Sequence, residues 1–241
     1  MKNHNMLSLR KALFSVGLLS CVALAQAAPI TLNADHFSIT YDDAELGLYK
    51  QGLLSGSLDT VYFRPNTFRA LSGGAAASTL ASLQLTLTVD PGYALSGLTY
   101  TERGDYFLFG GGAVDIETSV RAVNAATSGS AILDLAPGMP LAQSGSSTPW
   151  ELSGDLSFQT LGTPQTVLIT LDNALFASAS NGGLGFIQKT YVGFRVATEA
   201  VAVPEPTSWA LLLAGAMAAS LAGRRRRSHL SGDRTFGGGA R

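Results

Sequence analysis

From Ile30 to Val196 the apolar positions recur every second residue far more often than every third or fourth. Ile30-Thr31-Leu32 and Phe37-Ser38-Ile39-Thr40-Tyr41 alternate in this way, and Leu58 to Phe63 is rich in β-formers before it stops at Pro65. Leu83-Gln84-Leu85-Thr86-Leu87-Thr88-Val89 reads as a half-buried strand closed by the turn Asp90-Pro91-Gly92. Val114 to Arg121 alternates again, with Asp115 and Glu117 on one face. Ala131 to Leu135, Trp150 to Phe158, Thr166 to Leu171 and Tyr191 to Val196 complete the series. Leu98 to Thr101 and Tyr106 to Phe109 flank Glu102-Arg103-Gly104-Asp105, a spacing that predicts a hairpin with a charged, Gly-containing turn. A helical turn is expected within Ala70 to Ala81 or Leu175 to Ser180, and Thr198 to Val203 reads as a stalk. About ten short strands separated by Gly, Ser, Pro and Asn clusters predict an all-β chain, an antiparallel β-sandwich with a jelly-roll-like order. There is no repeat at a fixed period.

The two ends break this pattern. Lys2, Arg10 and Lys11 precede the apolar run Ala12 to Ala25, and Ala25-Gln26-Ala27 is a small-x-small cleavage site that leaves a mature start at or near Ala28. Residues 1–27 therefore read as a signal peptide. Leu18-Leu19-Ser20-Cys21 is a weaker competing lipidation site. Cys21, the chain's one cysteine, leaves with the signal, so residues 28–203 carry no disulfide or thiol chemistry.

At the other end Pro204-Glu205-Pro206 precedes an uncharged apolar run and the block Arg224, Arg225, Arg226 and Arg227. As a helix, the 15 residues 209–223 would be about 22 Å long, short of the roughly 30 Å of bilayer hydrocarbon. They form a marginal transmembrane helix, with the arginines on the cytoplasmic side and the preceding domain outside. The two prolines keep the motif extended and open to an enzyme. Residues 228–241 form a Gly-rich tail of disordered composition.

The order Pro-Glu-Pro, short apolar helix, arginine cluster over 204–227 resembles the PEP-CTERM sorting signal of Gram-negative bacteria. The resemblance implies export, transient anchoring in the inner membrane with the domain in the periplasm, and delivery to the cell surface or outside. It also implies processing near Pro204-Glu205-Pro206 by an exosortase, a membrane-embedded cysteine transpeptidase-like enzyme, and a link to exopolysaccharide or biofilm matrix. One departure is that the signal usually ends at the arginines, whereas 14 residues follow them here.

Charge changes the picture of the middle. The whole chain is formally −1, but residues 28–203 hold 15 acidic and 7 basic residues, a formal charge of −8 between basic ends. An acidic domain argues against nucleic acid as a partner.

Candidate chemistry is sparse. His36 is the sole histidine between the two ends, and no G-x-S-x-G, H-E-x-x-H or Cys/His cluster accompanies it. No catalytic residue is therefore assigned, and no cofactor is expected unless Asp42, Asp43 and Glu45 hold calcium through carboxylate oxygens. Trp150 is a candidate platform for a sugar ring. The sequence thus supports a non-enzymatic exported surface or matrix protein. The alternative is a secreted carbohydrate-binding module, and a glycoside-active enzyme stands third.

Overall fold

The computed structural model describes residues 28–138, 141, 145–180, 182–201 and 212–217. Among these described residues twelve strands follow one another: β1 (Pro29–Asn33), β2 (Phe37–Asp42), β3 (Leu53–Leu54), β4 (Thr60–Phe63), β5 (Arg69–Ser72), β6 (Ala77–Val89), β7 (Tyr93–Phe109), β8 (Gly112–Asn124), β9 (Ser130–Leu135), β10 (Thr148–Ser157), β11 (Thr166–Ala179) and β12 (Leu184–Ala200). They form two antiparallel sheets, ordered β1-β2-β6-β11-β8-β9 and β10-β7-β12-β4-β3, with β5 also pairing β12. We call these sheet A and sheet B. The sandwich follows from the two-residue period: each sheet turns one apolar face inward, and removing those faces from water is the main favourable term in folding.

Several strands are longer than the sequence suggested, and each difference has a physical cause. Strand β7 runs without a break through Glu102-Arg103-Gly104-Asp105, where a hairpin turn was expected. Gly104 is no turn residue: it faces inward, and a Cβ there would lie 2.7 Å from Trp150 Cζ2 and 1.9 Å from the Gln188 carbonyl. Residues 70–81 belong to β5, β6 and the turn joining them, and residues 175–179 belong to β11. Neither stretch is helical, because the ladders β12–β5 and β11–β6 take up its backbone groups and hold it extended. The first half of the expected stalk is also strand. Thr198, Glu199 and Ala200 of β12 pair with Leu95, Ala94 and Tyr93 of β7.

Strand β12 changes phase midway. Gly185, Ile187 and Lys189 face inward, and so do Val192, Phe194 and Val196. The switch from odd to even occurs at a β-bulge: Lys189 pairs with Gly104 and Tyr191 with Arg103, leaving Thr190 as the extra residue. On the opposite edge of β12 the ladder passes from β4, which pairs with Val192 to Arg195, to β5, which pairs with Gly185 to Gln188. The gap between them is bridged by Phe68, whose carbonyl accepts from the Lys189 amide at 2.9 Å.

Residues 1–27, Pro204-Glu205-Pro206, Arg224 to Arg227 and 228–241 lie outside the described residues, as does most of 209–223. Of that last segment, residues 212–217 are helical. Among the described residues no helix is long and apolar enough to cross a membrane.

Candidate functional site

Among the described residues, two places in the sandwich stand out for their polar chemistry. The first is in its centre. Glu102 lies on the inward row of β7 between Tyr100 and Gly104, and Lys189 on the inward row of β12. From sheet A, Asn173 of β11 and Thr118 of β8 face them as direct cross-strand partners. The side chains of Lys189 and Glu102 are fully buried and form an ion pair. Lys189 Nζ donates to Glu102 Oε2 and to Asn173 Oδ1. Tyr100 donates to Glu102 Oε2 at 2.5 Å, and Thr118 to Glu102 Oε1 at 2.7 Å. Asn173 Nδ2 donates to Thr118 Oγ1 at 3.0 Å.

Aromatic rings wall the cluster. Lys189 Nζ sits 5.1 Å from the centroid of Phe68 and 5.9 Å from that of Trp150. Tyr49, also buried, packs edge-on against Phe68. Burial pulls the Lys189 ammonium down to about 8, against the upward pull of Glu102. Burial, then the charge of Glu102, pushes the Tyr49 and Tyr100 phenols up, which keeps both protonated. Among the described residues no buried side-chain nitrogen or oxygen lacks a partner.

The second place is the outer face of sheet A. Three depressions lie in a row along β11, of about 440, 700 and 320 Å³. Cross-strand register builds their floor from short side chains. One rung is Ser82, Asp172, Ser119 and Asp134, and the next holds Leu80, Ala174 and Glu117. Beyond them Phe176 stands between Ser78 and Asp115. Serine and alanine leave room above the backbone, while Asp172, Glu117 and Asp134 present exposed acceptors, so the trough is acidic.

The residues singled out from the sequence sit elsewhere. Trp150 is only 7% exposed, with its indole N–H donating to the Gln188 carbonyl at 3.2 Å. It is a wall of the buried cluster, and its ring offers no open face to a sugar. Asp42 accepts from the Ala44 amide at 2.9 Å and caps a short 3-10 turn over Asp43–Glu45. Asp43 and Glu45 are exposed, and among the described residues no three His, Cys, Asp or Glu side chains are grouped to hold a metal ion. His36 stacks on Tyr93 at 3.9 Å, in the turn before β2, beside Asp35. Arg103 and Asp105 lie within β7, and Arg103 pairs across the strand with Glu151 at 3.0 Å.

In the sequence the members of the central cluster look ordinary singly. Its signal was phase: Glu102 falls in step with Leu98, Tyr100, Tyr106 and Leu108, and Lys189 with Gly185 and Ile187.

A model of the PEP-CTERM protein-sorting motif matches residues 202–227. No curated protein matches the chain. Among solved structures, the chain is similar to the enzymatically active domain of tailspike protein 4 from bacteriophage CBA120, at a TM-score of 0.25 and 10% identity over 69% of this chain. It spans 19% of that protein's length. The N-terminal cellulose-binding domain of Cellulomonas fimi β-1,4-glucanase C aligns at a TM-score of 0.19 and 15% identity, over 57% of this chain and 91% of that one. A chain of infectious bursal disease virus, Gx strain, aligns at 0.25 and 12%, over 79% of this chain and 58% of that one.

Proposed function

We propose that this PEP-CTERM sorting-motif protein is a non-enzymatic component of the cell surface or extracellular matrix, delivered by export and exosortase processing. The motif itself implies an exported protein that an exosortase processes at the membrane. The reading rests on one observation: the motif begins at residue 202, two residues after β12 ends at Ala200. The sorting signal is thus spliced directly onto the last strand of the sandwich, and the sandwich is the cargo that processing would deliver. A linkage to exopolysaccharide is the expected setting for such cargo.

The test is the mass of the protein recovered from its producing organism, with Pro204-Glu205-Pro206 intact or replaced by alanines. A chain running from near Ala28 to near Pro204, produced only when the motif is intact, is the expected result. A C-terminus still at Arg241 in both forms would sink the processing step and leave a protein held by residues 209–223.

The trough on sheet A favours a second reading, carbohydrate binding. Asp172, Glu117 and Asp134 can accept from sugar hydroxyls, and the serines beside them can accept or donate. Phe176 supplies one apolar ring within the row. Affinity electrophoresis against a panel of neutral glucans and galactans tests it. Retention is expected for the wild type and should vanish in Ser119→Trp, which fills the trough. A chain that migrates freely on every gel is not a carbohydrate binder of this class.

A further inference from the structure

We propose that Lys189 and Asn173 become joined by an intramolecular amide bond between Nζ and Cγ, formed within the folded protein with Glu102 as the proton carrier. Such a bond needs four things: an amine held against a carboxamide, a base touching the amine, a route for the proton to the leaving nitrogen, and exclusion of water. The centre of the sandwich supplies each from a different strand.

Lys189 Nζ contacts the Asn173 carboxamide and the Glu102 carboxylate at once. Asn173 stands on β11 and Lys189 on β12, so consecutive strands in opposite sheets bring the two together. The carboxamide is fixed on its other side, where Nδ2 donates to Thr118 Oγ1 at 3.0 Å. Phe68, Trp150 and Tyr100 enclose the site, and Lys189 is fully buried. Only a neutral amine is nucleophilic, and at about 8 the buried lysine has a neutral fraction near neutral pH that a solvated lysine lacks.

The step balances without oxidant or added reagent. The Nζ lone pair attacks Cγ of Asn173, and the new C–N bond gives a tetrahedral centre. Glu102 takes the proton that Nζ sheds. The Cγ–Nδ2 bond then breaks, Nδ2 takes up a proton, and one ammonia leaves. Thr118 marks the return route, since its hydroxyl touches both Glu102 Oε1, at 2.7 Å, and Nδ2.

Stability alone does not account for this cluster. A buried ion pair is often replaceable by apolar side chains of similar volume at little cost, because desolvation offsets the attraction. A carboxamide held against such a pair adds another buried polar group that must be satisfied.

Peptide mapping of the full natively purified chain tests the proposal. Chymotryptic digestion, which cuts at Phe176 and Phe186, should yield a branched pair of peptides carrying Asn173 and Lys189 and lacking the mass of one ammonia. Trypsin should fail to cut after Lys189. Glu102→Gln keeps a side chain that can meet Tyr100 and Thr118, and it should give the same two peptides unlinked. Separate Asn173 and Lys189 peptides from folded wild-type protein, with free tryptic cleavage after Lys189, would overturn the proposal. So would loss of ammonia without a branch, which marks cyclisation of the asparagine onto its own backbone. A branch still present in Glu102→Gln would overturn the role given to Glu102.

Discussion

Gly104 and Trp150 are direct cross-strand partners on β7 and β10, and the indole occupies the space a side chain at 104 would need. A methyl group there meets both the ring and the Gln188 backbone carbonyl, and the carbonyl cannot swing aside as a flexible side chain would. Gly104→Ala is expected to cost about 3 kcal/mol or more, the upper end of overpacking penalties. Urea unfolding followed by near-ultraviolet circular dichroism would measure it. A loss below about 0.5 kcal/mol would show that the indole and β12 can shift without cost.

The bulge at Thr190 sets which face of β12's second half is apolar. Deleting Thr190 restores a regular ladder but turns Val192, Phe194 and Val196 toward water. Each buried side chain of this size contributes about 1.5–3 kcal/mol, so their combined exposure is comparable to the whole stability of a domain. The deletion variant is expected not to fold. Soluble yield and cooperative thermal unfolding are the readouts, and a cooperative transition near the wild-type temperature would contradict the account.

Asp59 ties the turn before β4 to β12. Hydroxyls of Ser57 and Thr60, then Ser55 and the Arg195 guanidinium, hold its carboxyl down at about 2, below its ordinary 3.8. The folded form therefore favours the carboxylate. That stabilisation is complete above about pH 4 and is lost as the pH falls through 2. Asp59 is a third exposed, so solvent screening limits the effect to about 1 kcal/mol or less. Asp59→Asn should be less stable than wild type at pH 6, with the gap closing toward pH 2. A gap independent of pH would assign the effect to packing.

Trp150 offers a spectroscopic check on the enclosed cluster. In a chain truncated before Trp209, its emission should be blue-shifted and resist iodide, because the ring is 7% exposed. Polysaccharide should leave it unchanged, even if the trough binds. Ready quenching by iodide would mean that the wall around Lys189 opens in solution.

Much of the sandwich was visible in the sequence because alternation is a property of single strands. Leu83 to Val89 of β6 and Val114 to Arg121 of β8 lie where their pattern placed them. Features that depend on two strands together were not visible. Gly104 reads as a turn until Trp150 is placed opposite it, and nothing along the chain sets Lys189 beside Glu102 and Asn173. A bulge hides in the same way, since the phase change at Thr190 looks like the end of a strand. The sorting signal, by contrast, is local in sequence and could be read there whole, as the motif match at 202–227 confirms.

Strand β12 leads directly to the sorting motif and lies inside sheet B, laddered to β7 on one edge and to β4 and β5 on the other. Any tug from a tethered C-terminus therefore enters the domain lengthwise along an interior strand. From Ala197 to Ala200 the load meets the β7 ladder alone, and from Arg195 back to Gly185 it is shared with β4 and β5 on the other edge. A lengthwise load therefore passes into the middle of sheet B, and not along its rim.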